Sequence, residues 1–525
     1  MKTVGERMVE GLAARGVEVI FGIPGVHTVE MYRGLSGSSV RHVTARHEQG
    51  CAFMADGYAR ASGKPGVALV ITGPGVTNAL TAMAQSREDS VPVLIISGVN
   101  RRDSLGKGLG RLHELPDQGA MVRTLCPSRQ ITDPSEVGAV LDWAFATMAT
   151  GRPGPVHIEV PTDVMPLPCP PLLAPAALPA RPVASDIDLA RAAEMLNAAK
   201  RPVIIAGGGA RGLNAALRTL AERLDAPVVQ TVNARGMMHL HPLCVPASPS
   251  LEAVRALIAA SDQVLVLGSE IGPTDYDMYA IGSLPKLDRM IRVDLCIDQL
   301  ARHPAALKLQ ADVGGFIAAI VPRLQAKLAA GEVRAETTRG QAQSALGELY
   351  TPMPGHLQMV EAIRAGQRGC VIVGDSTQPV YAANLYYDHD RAGGWFNAAT
   401  GYGALGFGPG AAVGAALALP GVPVVCLIGD GGLQFSPGEL RTAVDEKLPI
   451  TFVVWNNAAF MEIAEAMRNA NTEVIGCSPS PLRMEPFAAA CDLPFTSIPE
   501  EPEALTLALT QECEGPRMIE IRAKR

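Results

Sequence analysis

The run Val424-Val425-Cys426-Leu427-Ile428-Gly429-Asp430-Gly431-Gly432, answered by Ile450-Thr451-Phe452-Val453-Val454-Trp455-Asn456-Asn457, decides the fold. Each piece is a short apolar stretch that breaks into polar or glycine residues. Such runs read as strands buried on both faces. The breaks then fall at strand C-termini, where open α/β sheets bind ligands. Between them the pattern predicts a helix from Pro437 to Leu448, so the unit is strand-helix-strand. Twenty-six residues separate Asp430 from Asn457, and the unit carries both side-chain oxygens to one edge. Asp and Asn oxygens suit a hard cation such as Mg²⁺, which takes few protein ligands and completes its shell with phosphates. Gly429, Gly431 and Gly432 let the backbone approach a diphosphate closely. A lone Gly-Asp-Gly is ordinarily a turn; the Asn pair at this spacing makes it a candidate site.

Bulk properties bound the rest. A chain of 525 residues is too long for one core and predicts three domains at about 150 residues each. Hydrophobic residues make up 48% and charged residues 18%, a balance that leaves little surface for charge and favours an oligomer. The net charge of −7, without a basic block, argues against a nucleic-acid partner. No apolar run approaches the roughly 20 residues of a membrane span. The opening Met1-Lys2-Thr3-Val4-Gly5-Glu6 leads straight into an amphipathic helix, unlike a signal peptide. Ten scattered cysteines, with no CxxC, read as reduced core thiols of a cytoplasmic protein.

Three α/β blocks emerge, each expected to be a parallel, doubly wound sheet. The first, residues 1–165, holds strands at Val17 to Phe21, Val67 to Thr72 and Val93 to Ser97. A Pro/Ala-rich stretch from Pro166 to Pro182 marks a linker. The second block, 186–325, has strands at Pro202 to Ala206 and Gln263 to Leu267. Gly207-Gly208-Gly209 closes the former, but no complete GxGxxG with a downstream acid accompanies it, which disfavours a nucleotide there. The third, 352–525, has strands at Cys370 to Val373, Val424 to Ile428, Ile450 to Trp455 and Met518 to Ile521.

Several motifs resemble the acetolactate synthase and 2-oxo acid decarboxylase superfamily, which depends on thiamine diphosphate (thiamine pyrophosphate). Gly429-Asp430-Gly431 with Asn456-Asn457 is similar to the signature that holds its diphosphate and Mg²⁺. Phe21-Gly22-Ile23-Pro24-Gly25, Glu48, Asp56-Gly57-Tyr58-Ala59-Arg60 and Thr72-Gly73-Pro74-Gly75-Val76-Thr77-Asn78 resemble its pyrimidine-binding domain. The likeness runs in family order over nearly the whole chain. It implies a pyrimidine-binding, a central and a diphosphate-binding domain, and a metal shell of Asp430, Asn457 and the main-chain oxygen of Ala459. It also implies that Glu48 drives the aminopyrimidine to its imino form, on a coenzyme held by the partner subunit. A homodimer is then the minimum, and a homotetramer is expected. Tyr402-Gly403-Ala404-Leu405-Gly406 resembles the loop beneath the bent coenzyme, with Leu405 as the wedge and the Gly403 carbonyl as the acceptor for its amino group. Thr72 and Asn78 fall in the matched pyrimidine-binding segment, and Ser376, Thr377 and Gln378 fall where members of the superfamily touch the diphosphate. Members carry FAD in the central domain or nothing; FAD is not expected here, though the sequence leaves the choice open.

The resemblance implies attack of the coenzyme C2 carbanion on a 2-oxo acid, followed by loss of CO₂. Glu48 opens a helix whose other positions are mostly small and apolar, so its carboxylate is expected to be buried. Val26, His27, His113, Glu114, Met461 and Glu462 are the candidates for choosing the substrate, with His27, His113 and Glu114 also candidates for catalysis. The paired histidines of pyruvate decarboxylases are not reproduced near His113. Only the glutamate matches the Phe-Gln-Glu of acetolactate synthases at Leu112-His113-Glu114. The best likeness is to 5-guanidino-2-oxopentanoate (2-ketoarginine) decarboxylases, through Gly25 to Glu30, Arg41 to Gly50 and Leu105 to Gln118. A guanidinium substrate calls for a carboxylate fork, which Glu114, Asp117 or Glu462 offers. The alternatives are an acetolactate synthase-like carboligase and a non-catalytic paralogue, against which the retention of Glu48, Asp430 and Asn457 argues.

Overall fold

Alternation of buried apolar runs with helices produces three six-stranded sheets in the computed structural model, which describes residues 1–276, 289–349 and 352–524. Residues 277–288 of the second expected block and residue 525 of the third lie outside the described residues. The first sheet is built from β1 (Val19–Gly22), β2 (Arg41–Thr44), β3 (Gly66–Val70), β4 (Val93–Val99), β5 (Ser128–Gln130) and β6 (Pro155–Pro161), in the order β2-β1-β3-β4-β6-β5. Its registers are all parallel. The second comprises β7 (Pro202–Ala206), β8 (Val228–Gln230), β9 (Cys244–Val245), β10 (Gln263–Leu267), β11 (Met290–Asp294) and β12 (Leu307–Gln310), in the order β12-β11-β10-β7-β8-β9. It too is parallel. The third comprises β13 (Val371–Gly374), β14 (Trp395–Asn397), β15 (Val424–Gly429), β16 (Ile450–Asn456), β17 (Phe495–Pro499) and β18 (Arg517–Arg522). There β15 runs parallel to β16 from Val424↔Ile450 to Gly429↔Trp455.

The expected strands are present within a few residues of their bounds. The helix expected from Pro437 to Leu448 is shorter, Glu439–Asp445: Pro437 and Gly438 form the turn before it, and Lys447 takes a φ of 51° after it. In the second sheet the ends of β7 and β10 meet closely. Gly209 donates its N–H to the Gly268 carbonyl at 3.0 Å, and a methyl on Gly207 would lie 2.3 Å from that oxygen.

By compactness the chain divides into two units. One is Met1–Ala180 with Gly401–Ser497 and Cys513–Glu520; the other is Arg181–Thr400 with Ile498–Glu512 and Ile521–Arg525. The second unit is tied internally by Arg235, which is 1% exposed and donates to the carbonyls of Gln230, Pro246, Asn384 and Tyr387.

At the heart of the first unit, helix Glu48–Ser62 packs on helix Phe407–Ala418. Every residue from Gly50 to Arg60, and from Phe407 to Ala416, is buried. Glycines permit the approach: a methyl on Gly414 would sit 1.9 Å from the Met54 carbonyl oxygen, and one on Gly57 2.0 Å from that of Ala411. Beside this contact Arg60 is buried between Asp56 and Asp89, at 2.5 and 2.8 Å. Ser86 donates to Asp56 and Gln85 to Asp89, completing a network that offsets the cost of burying charge.

Gly414→Ala tests the helix contact. Alanine gains about 1 kcal/mol of helix propensity over glycine. Overpacking against rigid backbone costs about 1–3 kcal/mol. The clash wins on these magnitudes, so the variant is expected to melt below the parent in calorimetry; an equal or higher melting temperature contradicts the contact.

Candidate functional site

The ends of β15 and β16 form the first part of the site. Asp430 opens a single helical turn, Asp430–Leu433, and is 6% exposed; Asn457 is 7% exposed. Burial pushes the Asp430 carboxyl above its ordinary range, opposed by hydrogen bonds from the backbone N–H groups of Asn457, Asp430 itself, Gly431 and Ala458. The two motifs therefore converge on one carboxylate. A cation beside it would favour the ionised form. Ala458 is left-handed at φ 54°, which turns the chain so that Ala459 donates to Asn457 Oδ1 at 3.1 Å. Asn456 donates to Glu520, which Ser497 also holds at 2.7 Å, and its Oδ1 accepts from the Ala458 N–H at 3.2 Å. Among the described residues no three His, Cys, Asp or Glu side chains cluster. A cation here would take one carboxylate with amide and carbonyl oxygens, the hard donor set expected for Mg²⁺. Phe460 lies against Gly431, where a methyl would meet its ring at 2.6 Å.

Glu48 is the first residue of its helix, with His47 as the cap. Its carboxylate is half-buried, not enclosed as expected, and accepts from Asn78 Nδ2 at 2.9 Å. The small residues that suggested enclosure lie further along and face helix Phe407–Ala418. Two of the matched positions, Glu48 and Asn78, thus meet directly.

The loop at 401–406 is pinned from both ends. Ala404 donates its N–H to Gln85 at 3.1 Å, and Ser436 donates to the Gly406 carbonyl at 2.7 Å. Gly403 and Gly406 have φ of 74° and 79°, a region that favours glycine. Leu405 is half-buried between them. Gln85 and Ser436 carried no signal in the sequence, because their partners lie 319 and 30 residues away.

A second cluster gathers at the ends of β3 and β4. Thr72 is 1% exposed, and its hydroxyl has no hydrogen-bond partner among the described residues; neither has Nδ1 of His27. Buried polar atoms are seldom left unpaired, so these fit a polar ligand. The His27 ring meets that of His113 edge-on, with centroids 5.3 Å apart. Burial, then the neighbouring His113, pushes the His27 imidazole down. The sequence showed no adjacent histidine pair, and folding assembles one from two loops. Val26 is 70% exposed beside them. His113 itself is left-handed at φ 61°.

Glu114 braces its own loop. It accepts from the N–H groups of Leu109 at 3.1 Å and Arg111 at 2.9 Å, and these bonds hold its carboxyl below the usual range. Asp117 caps the next helix through Ala120 N–H. Gln118, the last residue of the Leu105 to Gln118 segment, joins the cluster together. It accepts from Gly73 N–H at 2.9 Å and donates to Ser97, the Gly98 carbonyl and Glu159. His157 stands behind it, between the hydroxyls of Ser97 and Ser128 at 2.8 Å each.

Met461 and Glu462 begin helix Met461–Asn469, with Glu462 exposed in its first turn. In the other unit, Ser376, Thr377 and Gln378 follow β13. Thr377 precedes helix Gln378–Leu385, and Ser376 N–H donates to Asp375 at 2.8 Å.

Comparison with known proteins bears on this arrangement. Residues 2–121 match the family model of the thiamine pyrophosphate enzyme N-terminal TPP binding domain, 189–320 that of the central domain, and 375–521 that of the C-terminal TPP binding domain. A probable 2-ketoarginine decarboxylase of Pseudomonas aeruginosa is 40% identical over 488 residues, 91% of this chain and 86% of its own length. The acetolactate synthase isozyme 1 large subunit of Escherichia coli is 33% identical over 477 residues, 87% of this chain and 82% of its own. A probable acetolactate synthase large subunit of Methanocaldococcus jannaschii is 28% identical over 479 residues, 86% and 80% of the two chains.

The histidine behind the cluster gives a pH test. Burial pushes His157 down to about 3. Between that value and the unfolded value of about 6.5, the unfolded chain binds a proton that the folded chain refuses. Stability from this group is therefore intact above pH ~6.5 and is lost as pH falls toward 3. His157→Gln is expected to flatten the fall of melting temperature between pH 7 and 4; a parallel fall contradicts the assignment.

Proposed function

The chain belongs to the thiamine pyrophosphate enzyme family, and from that premise we propose a Mg²⁺-dependent, non-oxidative decarboxylase of a 2-oxo acid, with 5-guanidino-2-oxopentanoate as first candidate. The observation that carries the reading is the convergence of Asp430 with the backbone of Asn457 and Ala458 at two strand ends. When bound, thiamine diphosphate supplies a C2 carbanion for the keto carbon and an electron sink for loss of CO₂. The chain supplies the rest. Asp430, Asn457 and the Ala459 carbonyl would hold the cation, and Gly429, Gly431 and Gly432 would admit the diphosphate. Leu405 would support the bent coenzyme, and the Gly403 carbonyl would accept from its amino group.

Glu48 would hold a proton at the pyrimidine nitrogen, with Asn78 orienting the carboxylate. Its half-exposure in a single chain suits a surface that a partner closes, so the active form is a homodimer or a homotetramer of two such pairs. Thr72, whose hydroxyl has no partner among the described residues, would serve the pyrimidine side. His27 and His113, ring to ring, would move the proton that follows CO₂ loss. Val26 and Met461 would shape the space for the substrate side chain. Glu114, Asp117 and Glu462 are the carboxylates on offer to a guanidinium, and Glu462, exposed in the first turn of its helix, is the first to test. The acetolactate synthase relatives favour a second reading, in which a second carbonyl compound enters and an acyloin leaves.

A panel of 2-oxo acids, assayed with thiamine diphosphate and Mg²⁺, separates the readings. CO₂ with aldehyde is expected; CO₂ with acyloin supports the carboligase, and no turnover of any acid refutes both. Glu48→Gln is expected to lose roughly 10²–10⁴-fold in rate at an unchanged melting temperature. Glu462→Gln is expected to raise KM roughly tenfold or more for the guanidino acid, while leaving that of an uncharged 2-oxo acid in place. Equal effects on both acids would remove Glu462 from recognition.

A further inference from the structure

Helix Glu439–Asp445, which follows the Asp430 turn, grips the segment that leads into Glu48. Arg41 pairs with Glu446, Arg46 pairs with Asp445, and Thr442 donates to the Thr44 carbonyl at 3.3 Å. The two ion pairs are largely exposed and individually weak. Glu439 differs from them. It is 1% exposed, and its Oε1 accepts from the backbone N–H groups of Arg46 and His47, each at 3.1 Å. Its Oε2 lies 3.3 Å from the Arg46 nitrogen and accepts from the Thr442 hydroxyl at 2.9 Å.

These are two N–H groups at the mouth of the 15-residue helix Glu48–Ser62, where His47 is the cap and Glu48 the first residue. Helix starts leave such groups without partners inside the helix, and the positive end of the helix favours a carboxylate. Space has been kept for that carboxylate: a methyl on Gly50 would lie 2.1 Å from Glu439 Oε1. A glycine one turn into the helix is thereby explained by an acid nearly four hundred residues away.

We propose that Glu439 is a positioning residue for Glu48: by fixing the backbone of Arg46 and His47 it sets where the Glu48 carboxyl leaves the helix. The inference rests on the reading of Glu48 given above. Beyond that backbone, the one hydrogen bond to the Glu48 carboxylate among the described residues comes from Asn78, so the start of the helix decides its reach. A displacement of about 1 Å at such a group costs roughly 10²-fold in rate.

The experiment compares Glu439→Ala, Glu439→Gln and Glu48→Gln with the parent in two measurements. The first is hydrogen exchange of residues 44–52 in coenzyme-free protein, read by mass spectrometry. The second is the rate at which bound thiamine diphosphate exchanges its C2 proton for deuterium. Glu439→Ala is expected to lose amide protection at Arg46 and His47 and to slow C2 exchange roughly 10²-fold. Glu439→Gln keeps a carbonyl for both N–H groups and an amide for Thr442, and is expected to restore most of both. Should Glu439→Ala fail to fold, Gly50→Ala, which displaces the carboxylate, is expected to slow C2 exchange in its place. Parent-like C2 exchange in folded Glu439→Ala or Gly50→Ala overturns the inference on Glu439. Parent-like C2 exchange in Glu48→Gln overturns the underlying reading of Glu48 instead.

Discussion

Two helices brought into backbone contact set the terms for everything else in the site-bearing unit. Helix Glu48–Ser62 comes from the first sheet region and helix Phe407–Ala418 from the third, and Gly57 and Gly414 let their backbones touch. A side chain at either position would force the helices apart. Close packing makes the pair act as one rigid body, so features at either end of it are held in fixed relation. At one end lies Glu48, preceded by backbone that Glu439 holds at Arg46 and His47. At the other, Asp56, Arg60 and Asp89 form a buried charge network whose Gln85 also holds the 401–406 loop.

Electrostatics follow from this packing. Asp430 and Glu439 are both carboxylates that burial pushes upward and backbone N–H groups pull back. The difference between them is their surroundings. Asp430 sits at open strand ends beside glycines, where a cation and a diphosphate could approach. Glu439 is enclosed by Arg46, His47, Thr442 and Gly50, and has no room for a ligand. Similar chemistry thus meets different surroundings: one carboxylate lies at strand ends beside glycines, the other is closed in against the start of helix Glu48–Ser62.

Much of the fold was legible because apolar strands that end in glycine or polar residues are local signals. The breaks at Asp430 and Asn457 were readable for that reason, and so were the strands at 202–206 and 263–267. Glu48 stood out through its resemblance to a known motif; its half-burial did not, because the small residues after it describe the far side of the helix. The partners that hold the site in place were not legible. Glu439 reaches back to Arg46, Gln85 to Ala404 and Gln118 to Gly73, and each pairing depends on folding rather than on spacing. The His27–His113 contact is of the same kind. Glu114 looked available for a ligand because its two backbone donors, Leu109 and Arg111, are hidden in a loop whose geometry the sequence does not state.

The central claim is that Asp430 and its strand-end surroundings anchor thiamine diphosphate through a divalent cation. Titration calorimetry of the coenzyme into apo-protein tests this most directly, with Mg²⁺ present or removed by chelator, for the parent and Asp430→Ala. The account predicts saturable uptake by the parent that requires Mg²⁺ and is lost in the variant. Uptake that is indifferent to both metal and Asp430, or no uptake at all, would contradict it.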